Sequence, residues 1–559
     1  MTAFEWAVIF SMHFKHLNNH IPAQYCFFIV ILMTVNKHLR IFFILIVSLL
    51  LISACSKSQG KQENPGAGIP ASKYIEVIVD ASQTFQAIDN FGASDAWSFQ
   101  FLGNWPQQKK EAIADLLFSM DTAADGSVKG IGLSLWRFNF GAGSAQQGSA
   151  SGIADEWRRA PSFLKTDGTY DWQNQQSQIE FLQAAQRRGV QQFLGFFNSP
   201  PVQFTKNGKA FSSDGKCNLD STKYQAFSQY IADAINGVKQ YAGISFNYIS
   251  PVNEPQWDWK DGGQEGNPYT NHEISQLVKS INQTFQTKNI STRIVIPEAG
   301  QLDFLVGDHN KPERGRQIDA FFNHASADYL GDIRNVSKNI DAHSYFTTSP
   351  YATAVALRKE VKAKIAEKNI GYWMSEYCIL GDNAGEINGN GKDLGIDPAL
   401  YVARVIHNDL VNANASAWQW WTAVSAYNYK DGLIYIDKNK SDGEYQPSKI
   451  LWALGNFSRF IRPGDIRIAA STPAAEDTDA SFLLSAFRDK NNKKMIIVII
   501  NSDMRSRNIK LDIKNSNISQ LKPYITSDSD DLKPGKSFYL KDTFSVPARS
   551  VVTLISGND

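Results

Sequence analysis

Two glutamates stand out because of what precedes them. Glu254 follows Ser250-Pro251-Val252-Asn253, and Glu376 follows Trp373-Met374-Ser375. Each places a carboxyl group at the end of a strand-like stretch, where a side chain leaves a sheet and enters the space above it. Two carboxyl groups facing one another across such a space can do acid/base work. One protonates a leaving oxygen while the other attacks or activates water, which is what cleavage of a glycosidic bond requires. Other chemistries lack their residues. No HExxH, CxxC or Cys/His spacing is present, so no metal is expected. The GxGxxG and GxxxxGK[ST] loops are absent, so no nucleotide cofactor is expected. Cys378 lies near Glu376 but has no histidine expected beside it, so packing rather than nucleophilic attack is its expected role.

Holding two carboxyl groups over one space demands elements that end on the same side. Between residues 91 and 424 short apolar runs alternate with longer amphipathic segments, the pattern of βα repetition and a parallel sheet. Strand-like runs fall at 90–92, 132–139, 192–198, 246–253, 293–298, 340–345, 371–376 and 416–421. Helical spacing occurs at 107–119, 175–188, 223–241, 272–288, 354–368 and 398–411. Eight such units are the count of an α/β (β/α)8 TIM barrel, expected over 90–464, with active residues at the carboxyl ends of its strands. The period then changes. Short β-rich stretches at 481–488, 494–501, 508–513 and 544–555 predict an appended antiparallel β-sandwich over 465–559. Residues 73–89 are expected to join it, so that it is built from both chain ends.

The full chain has 559 residues, with 56 Lys and Arg against 55 Asp and Glu, a formal net charge of +1, and 43% hydrophobic residues. That composition excludes a disordered or polytopic membrane chain, and without a basic run no nucleic-acid partner is expected. The load of 13 Trp, 20 Tyr and 34 Phe suits stacking on flat, uncharged ligands.

One end is directed to a membrane. Lys37-His38-Leu39-Arg40 precede an apolar run over 41–52 and then Ser53-Ala54-Cys55, which resembles a bacterial lipobox. Residues 1–54 therefore read as an over-extended start, with Met33 the alternative initiator, followed by a signal peptide. Cys55 is the expected lipidated residue, and 55–72 a flexible tether. The expectation is an exported lipoprotein of the outer membrane, acting as a monomer. Removing 1–54 takes away Lys15, Lys37, Arg40 and Glu5 and moves the net charge from +1 to −1.

The two glutamate contexts occur in order with Asn90-Phe91-Gly92-Ala93-Ser94-Asp95-Ala96-Trp97, Trp136-Arg137, Asn198-Ser199-Pro200-Pro201, His343-Ser344-Tyr345 and Phe457-Ser458-Arg459-Phe460-Ile461-Arg462-Pro463-Gly464. Together these motifs resemble glycoside hydrolase family 30 of clan A, over nearly all of 73–556. The resemblance implies a retaining mechanism with Glu254 as acid/base and Glu376 as nucleophile. Phe197 replaces a Trp of glucosylceramidase-type members. Asn198-Ser199-Pro200-Pro201 with Thr205-Lys206-Asn207-Gly208 is closer to the endo-β-1,6-galactanase branch. A β-1,6-glucanase or endo-xylanase is the alternative within the family, and a non-catalytic glycan-binding lipoprotein the alternative outside it.

The remaining candidates surround the pair. Arg137 supplies positive charge beside Glu376, or a structural ion pair, and Tyr345 donates a hydrogen bond to Glu376. Asn253 is expected on the sugar 2-hydroxyl. His343 shares a strand face with Tyr345 and is a candidate hydroxyl ligand, as are Asn198 and Asp95. Trp97 and Trp257 are expected to stack on the substrate. On the eighth strand alternation admits only one parity, Trp418 and Trp420 or else Trp421, to the lumen; Trp420 is expected to face the substrate, and the others to pack between barrel and helices.

Overall fold

The computed structural model describes residues 74–473 and 480–556. The expected leader, lipidated Cys55 and tether lie outside the described residues. No helix among the described residues is long and apolar enough to cross a membrane.

After β1 (Ile75–Ala87) the chain lays down β2 (Asn90–Ser94), β3 (Leu135–Asn139), β4 (Gln192–Phe196), β5 (Tyr248–Ser250), β6 (Arg293–Ile294), β7 (Asn339–His343), β8 (Gly371–Tyr377) and β9 (Ala417–Ser425). β2 to β9 pair in parallel in the order β6-β5-β4-β3-β2-β9-β8-β7. Parallel bridges Ile294↔Val336 and Ala299↔Ala342 join the β6 and β7 segments, so the eight strands close into a ring. Every residue of β2, β3, β7 and β9 is buried, as expected of parallel strands covered on both faces. Helices form the outer cover. The helix Asn271–Thr287, for example, starts at a Thr270/Glu273 capping box and buries Ile274, Leu277, Val278, Ile281 and Phe285 on one stripe.

Several strands are shorter than expected, two of them by more than half. The runs 246–253 and 293–298 pair only over Tyr248–Ser250 and Arg293–Ile294. Pro251 and Pro297 carry no N–H for a ladder, so the chain leaves regular β geometry just before Glu254 and Glu298. Elsewhere the sequence pattern hid elements. β10 (Gly432–Ile436) pairs in parallel with the far half of β9, β11 (Tyr445–Pro447) pairs antiparallel with β10, and the helix Lys449–Ser458 follows.

The C-terminal β-rich region consists of β12 (Ile466–Ser471), β13 (Phe482–Arg488), β14 (Met495–Asn501), β15 (Arg507–Lys514), β16 (Gln520–Thr526), β17 (Lys533–Pro534), β18 (Phe538–Tyr539), β19 (Phe544–Val546) and β20 (Ser550–Ile555). β1 lies between β12 and β15 in the strand order. The expectation of an all-antiparallel sheet needs correction, because β1 and β15 run parallel. β1 enters from the other end of the chain, so no hairpin dictates its direction. β14 reads Met-Ile-Ile-Val-Ile-Ile-Asn and is buried throughout. Its Met495, Ile497 and Ile499 join the small core with Val77 and Leu554, while Ile496, Val498 and Ile500 join the main core of the ring. Alternation thus lets one strand serve two cores.

Below the loop that carries Ser344 and Tyr345 lies a dry ion pair. Arg358 Nε, on the helix Tyr351–Lys368, is 2.7 Å from Asp409 Oδ1 on the helix Ile396–Val411, and both side chains are inaccessible. Arg358 Nη1 also donates to the Thr347 carbonyl at 2.7 Å, and Trp418 Nε1 donates to Asp409 Oδ2 at 3.0 Å. Removing one partner leaves a buried charge alone, so Asp409→Ala should cost about 3–5 kcal/mol of unfolding free energy in urea titrations. A cost below about 1 kcal/mol would show that the pair does not hold these helices.

Candidate active site

Arg137 occupies the centre of the ring, with no solvent exposure. It projects from β3 over the Phe196 ring of β4, 3.7 Å from guanidinium carbon to centroid. Its Nη1 donates to Glu376 Oε2 at 2.5 Å, and its Nη2 lies 3.3 Å from Glu298 Oε1 and donates to Asn253 Oδ1 at 3.1 Å. A second cation sits beside it. His343, at the end of β7, has Nδ1 3.0 Å from Glu254 Oε1 and Nε2 3.1 Å from Glu298 Oε2. Burial alone would lower its pKa, but Glu376, Glu254 and Glu298 outweigh burial and raise it to about 10.

Glu376, Glu254 and Glu298 therefore meet two cations, and a fourth buried carboxyl group, Asp341, accepts from the Glu298 N–H at 2.9 Å and is pushed well above its ordinary pKa by burial and by the charge of Glu298. Glu298 is opposed by burial, yet Arg137 and His343 hold its pKa at about 2. Glu376 has both oxygens bound, Oε2 by Arg137 and Oε1 by the Tyr345 hydroxyl at 3.0 Å. Burial raises the pKa of Glu254, with the hydrogen bond from His343 opposing and the charge of Glu376 adding to the rise. Glu254 is thereby favoured to keep a proton. One oxygen each of Glu254 and Glu376 and one ring nitrogen of His343 lie within 4.8 Å of one another.

Irregular backbone makes this convergence possible. Glu254 and Glu298 both adopt left-handed conformations, φ 44° and 52°, which non-glycine residues rarely adopt outside functional sites. The Glu254 N–H donates to the Glu298 carbonyl at 2.9 Å, tying the two strand ends together. The β7·β8 register slips between Ala342 and His343, so His343 pairs with Glu376 and Ser375 is extra. That bulge lets neighbours turn inward together: Ser375 Oγ donates to Glu298 Oε2 at 2.5 Å while Glu376 reaches Arg137. Gly300 provides room beside them, since a Cβ there would come within 2.6 Å of Trp257 Nε1.

Above these groups opens a pocket of about 390 Å³, lined among others by Trp97, Asn253, Glu254, Trp257, Trp259, Tyr345, Glu376 and Trp421. The family model of O-glycosyl hydrolase family 30 matches residues 74–435, across the whole ring. The chain belongs to this family. As a family 30 protein it is an O-glycosyl hydrolase. It is 26% identical over 395 residues to the glucuronoxylanase XynC of Bacillus subtilis, covering 68% of this chain and 77% of that protein. It is 22% identical over 441 residues to an endo-β-1,6-galactanase of Hypocrea rufa, covering 76% and 81%. The crystal structure of a conserved exported protein from Bacteroides fragilis superimposes with a TM-score of 0.80 at 34% identity, covering 86% of this chain and 100% of that one.

The structure brings the candidates Glu254, Glu376, Arg137, Tyr345, Asn253, Trp97 and Trp257 together, with the first two facing the pocket. Four expectations need correction. His343 is inaccessible and both its ring nitrogens face carboxylates, so it positions glutamates rather than holding a sugar hydroxyl. Asp95 is inaccessible and accepts from the Asn139 N–H and from Gln178 Nε2, joining β2 to β3. Asn198 accepts from Asn253 Nδ2 at 3.0 Å and stands behind it. Trp421, not Trp420, lines the pocket, because the β2·β9 register slips between Ala93 and Ser94 and makes Trp421 the extra residue. Trp420 is inaccessible, its indole donating to the Asp431 carbonyl at 2.7 Å.

Sequence reasoning missed Glu298 and Asp431. Glu298 closed an expected strand just as Glu254 did, and that position was its available signal. Cys378 is buried, which pushes its thiol well above the ordinary value and leaves it unsuited to thiolate chemistry. Glu254, His343 and Glu376 offer one donor each to a cation. With both His343 nitrogens engaged and Arg137 already supplying charge, the grouping fits a hydrogen-bonded acid/base pair better than a metal centre.

The His343 pKa carries a stability prediction. An unfolded imidazole titrates near about 6.5, so between there and about 10 the native state holds the extra proton. The stabilisation is complete below the lower value and lost as pH rises through the upper one. Ring ¹⁵N shifts should show His343 protonated on both nitrogens at pH 8, with Glu298→Gln lowering the pH at which the proton leaves. A neutral ring at pH 8 refutes the two-cation arrangement.

Proposed function

We propose that the protein is a retaining endo-β-1,6-galactanase, in which Glu376 attacks the anomeric carbon and Glu254 protonates the leaving oxygen, then activates water. The observation that carries the retaining reading is the proximity of Glu254 and Glu376, whose nearest oxygens lie within 4.8 Å. Double displacement calls for carboxyl groups about 5–5.5 Å apart, whereas inversion needs about 6.5–9.5 Å to admit a water. The hydrogen bonding suits the roles. His343 occupies Glu254 Oε1, leaving the second oxygen for the proton, and Arg137 with Tyr345 orients the attacking carboxylate. Asn253, fixed by Arg137 and Asn198, presents its remaining amide proton to the sugar 2-hydroxyl.

This reading takes the ring as a (β/α)8 barrel and the terminal region as a sandwich braced against it. The galactan preference is supported by the Asn198-Ser199-Pro200-Pro201 motif and by the Hypocrea rufa relative. An endo-xylanase is the second reading, favoured by the similarity to the Bacillus subtilis glucuronoxylanase. We further propose export and anchoring through Cys55, supported by the leader over 37–55 and by the similarity to an exported Bacteroides fragilis protein.

Digestion of β-1,6-galactan, β-1,6-glucan and glucuronoxylan separates these substrates. Oligosaccharides should appear from the galactan, and release from glucuronoxylan alone replaces the galactanase reading by the xylanase one. Proton NMR of fresh products should show the β-anomer before mutarotation, and the α-anomer first would mean inversion. Glu376→Ala should abolish turnover while oligosaccharides still bind. Wild-type rates in that variant would remove it as the nucleophile.

A further inference from the structure

The pocket contains a carboxylate that the two-glutamate chemistry does not use. Asp431 lines the same pocket as Glu254 and Glu376, is 6% exposed, and has an oxygen, Oδ1, with no hydrogen-bond partner. Among the described residues it makes no salt bridge. The nearby cation, Arg158, stands over the rings of Trp97 and Tyr427 instead, at 4.9 and 4.8 Å. Burial, against a hydrogen bond with Ser425, raises the Asp431 pKa to about 6. A buried, unsatisfied carboxylate oxygen costs free energy, and a residue kept for packing alone would be paired or apolar.

Its main chain is fixed on both sides. The Asp431 carbonyl accepts from Trp420 Nε1, and the next residue, Gly432, donates its N–H to the Tyr435 hydroxyl at 3.2 Å. A donor in the same pocket lacks a partner too: Trp97, 7% exposed, has a buried indole Nε1 without an acceptor, while its ring meets Trp421 edge-on at 5.1 Å. The pocket therefore holds one unmet acceptor and one unmet donor between aromatic faces. A sugar unit satisfies both, since a carboxylate accepts from two adjacent hydroxyls while the ring stacks on tryptophan.

Resting on the glycosidase reading above, we propose that Asp431 is a substrate-binding residue that accepts hydrogen bonds from hydroxyls of a neutral sugar unit beside the cleaved bond. Like charge makes the same position unfavourable to a sugar bearing an acidic substituent there.

The test compares Glu376→Ala with Glu376→Ala/Asp431→Ala by calorimetric titration of β-1,6-galactotriose, β-1,6-glucotriose and xylotriose. Wild type and Asp431→Ala are compared in parallel for kcat, KM and melting temperature. At least one trisaccharide should bind Glu376→Ala and lose about tenfold or more in affinity with the second substitution, as expected for a hydrogen bond to a charged group. KM should rise more than kcat falls, with little change in melting temperature, since the only side-chain partner lost among the described residues is Ser425 and removing a buried carboxylate relieves its desolvation. Affinity unchanged within about twofold, no trisaccharide binding to Glu376→Ala, or a loss matched by a lower melting temperature overturns the proposal. If wild type cleaves glucuronoxylan alone and Asp431→Ala still raises KM, the galactanase reading fails and this one stands.

Discussion

The Arg137 guanidinium is the constraint on which the rest of the site depends. A fully buried cation is tolerable only if its charge and its hydrogens are met by fixed partners. Here the partners are the carboxylates of Glu376 and Glu298 and the amide oxygen of Asn253. Bringing two carboxylates to one cation creates a second demand, which His343 answers from the far side of Glu298. Its other nitrogen is then directed at Glu254. Burial and the charge of Glu376 push the Glu254 pKa up, against the hydrogen bond from His343. Glu254 and Glu376, both buried, are thereby given different hydrogen-bond surroundings by their neighbours.

Regular secondary structure would not deliver these contacts. In an unbroken β8, Ser375 and Glu376 would point to opposite faces; the bulge turns both inward. Proline ends the ladders of β5 and β6, and the left-handed residues that follow swing Glu254 and Glu298 over the ring. The dry Arg358–Asp409 pair, with Ser344 hydrogen-bonded to Asp409, braces the loop that carries Tyr345. Strain at the mouth is sustained by a closed and largely buried ring below it.

What could be read from the residues follows from these same facts. The eight-unit count, the terminal β-rich region and the Glu254/Glu376 pair were legible, because periodicity and strand-end position are local properties. Arg137 and Tyr345 were placed beside Glu376 by their strand-end positions together with the family resemblance. Glu298 went unrecognised although it closed an expected strand, because its importance arises from Arg137 and His343, which meet it only across the ring. Trp420 was favoured over Trp421 since alternation assumes an unbroken register, and the β2·β9 slip breaks it. β10 and β11 went unrecognised, being runs of five and three residues with little periodicity to show, yet this segment carries Asp431 into the pocket.

The site thus divides into a centre and a wall with different physical character. The centre is held by buried ion pairs whose partners cannot be changed singly without stranding a charge. The wall around Arg158 and Asp431 belongs to loops, clasped by pairs such as Lys438 with Asp155 and Lys440 with Glu156, which are roughly one-third to one-half exposed. Such pairs contribute on the order of 0–1 kcal/mol and are screened by salt. Substitutions there change what the pocket accepts while leaving the glutamates where they are. A family that keeps one reaction and varies its polysaccharide needs that separation, and the near-neutral chain with aromatic rings at its mouth lacks a general field that would commit the wall to charged substrates.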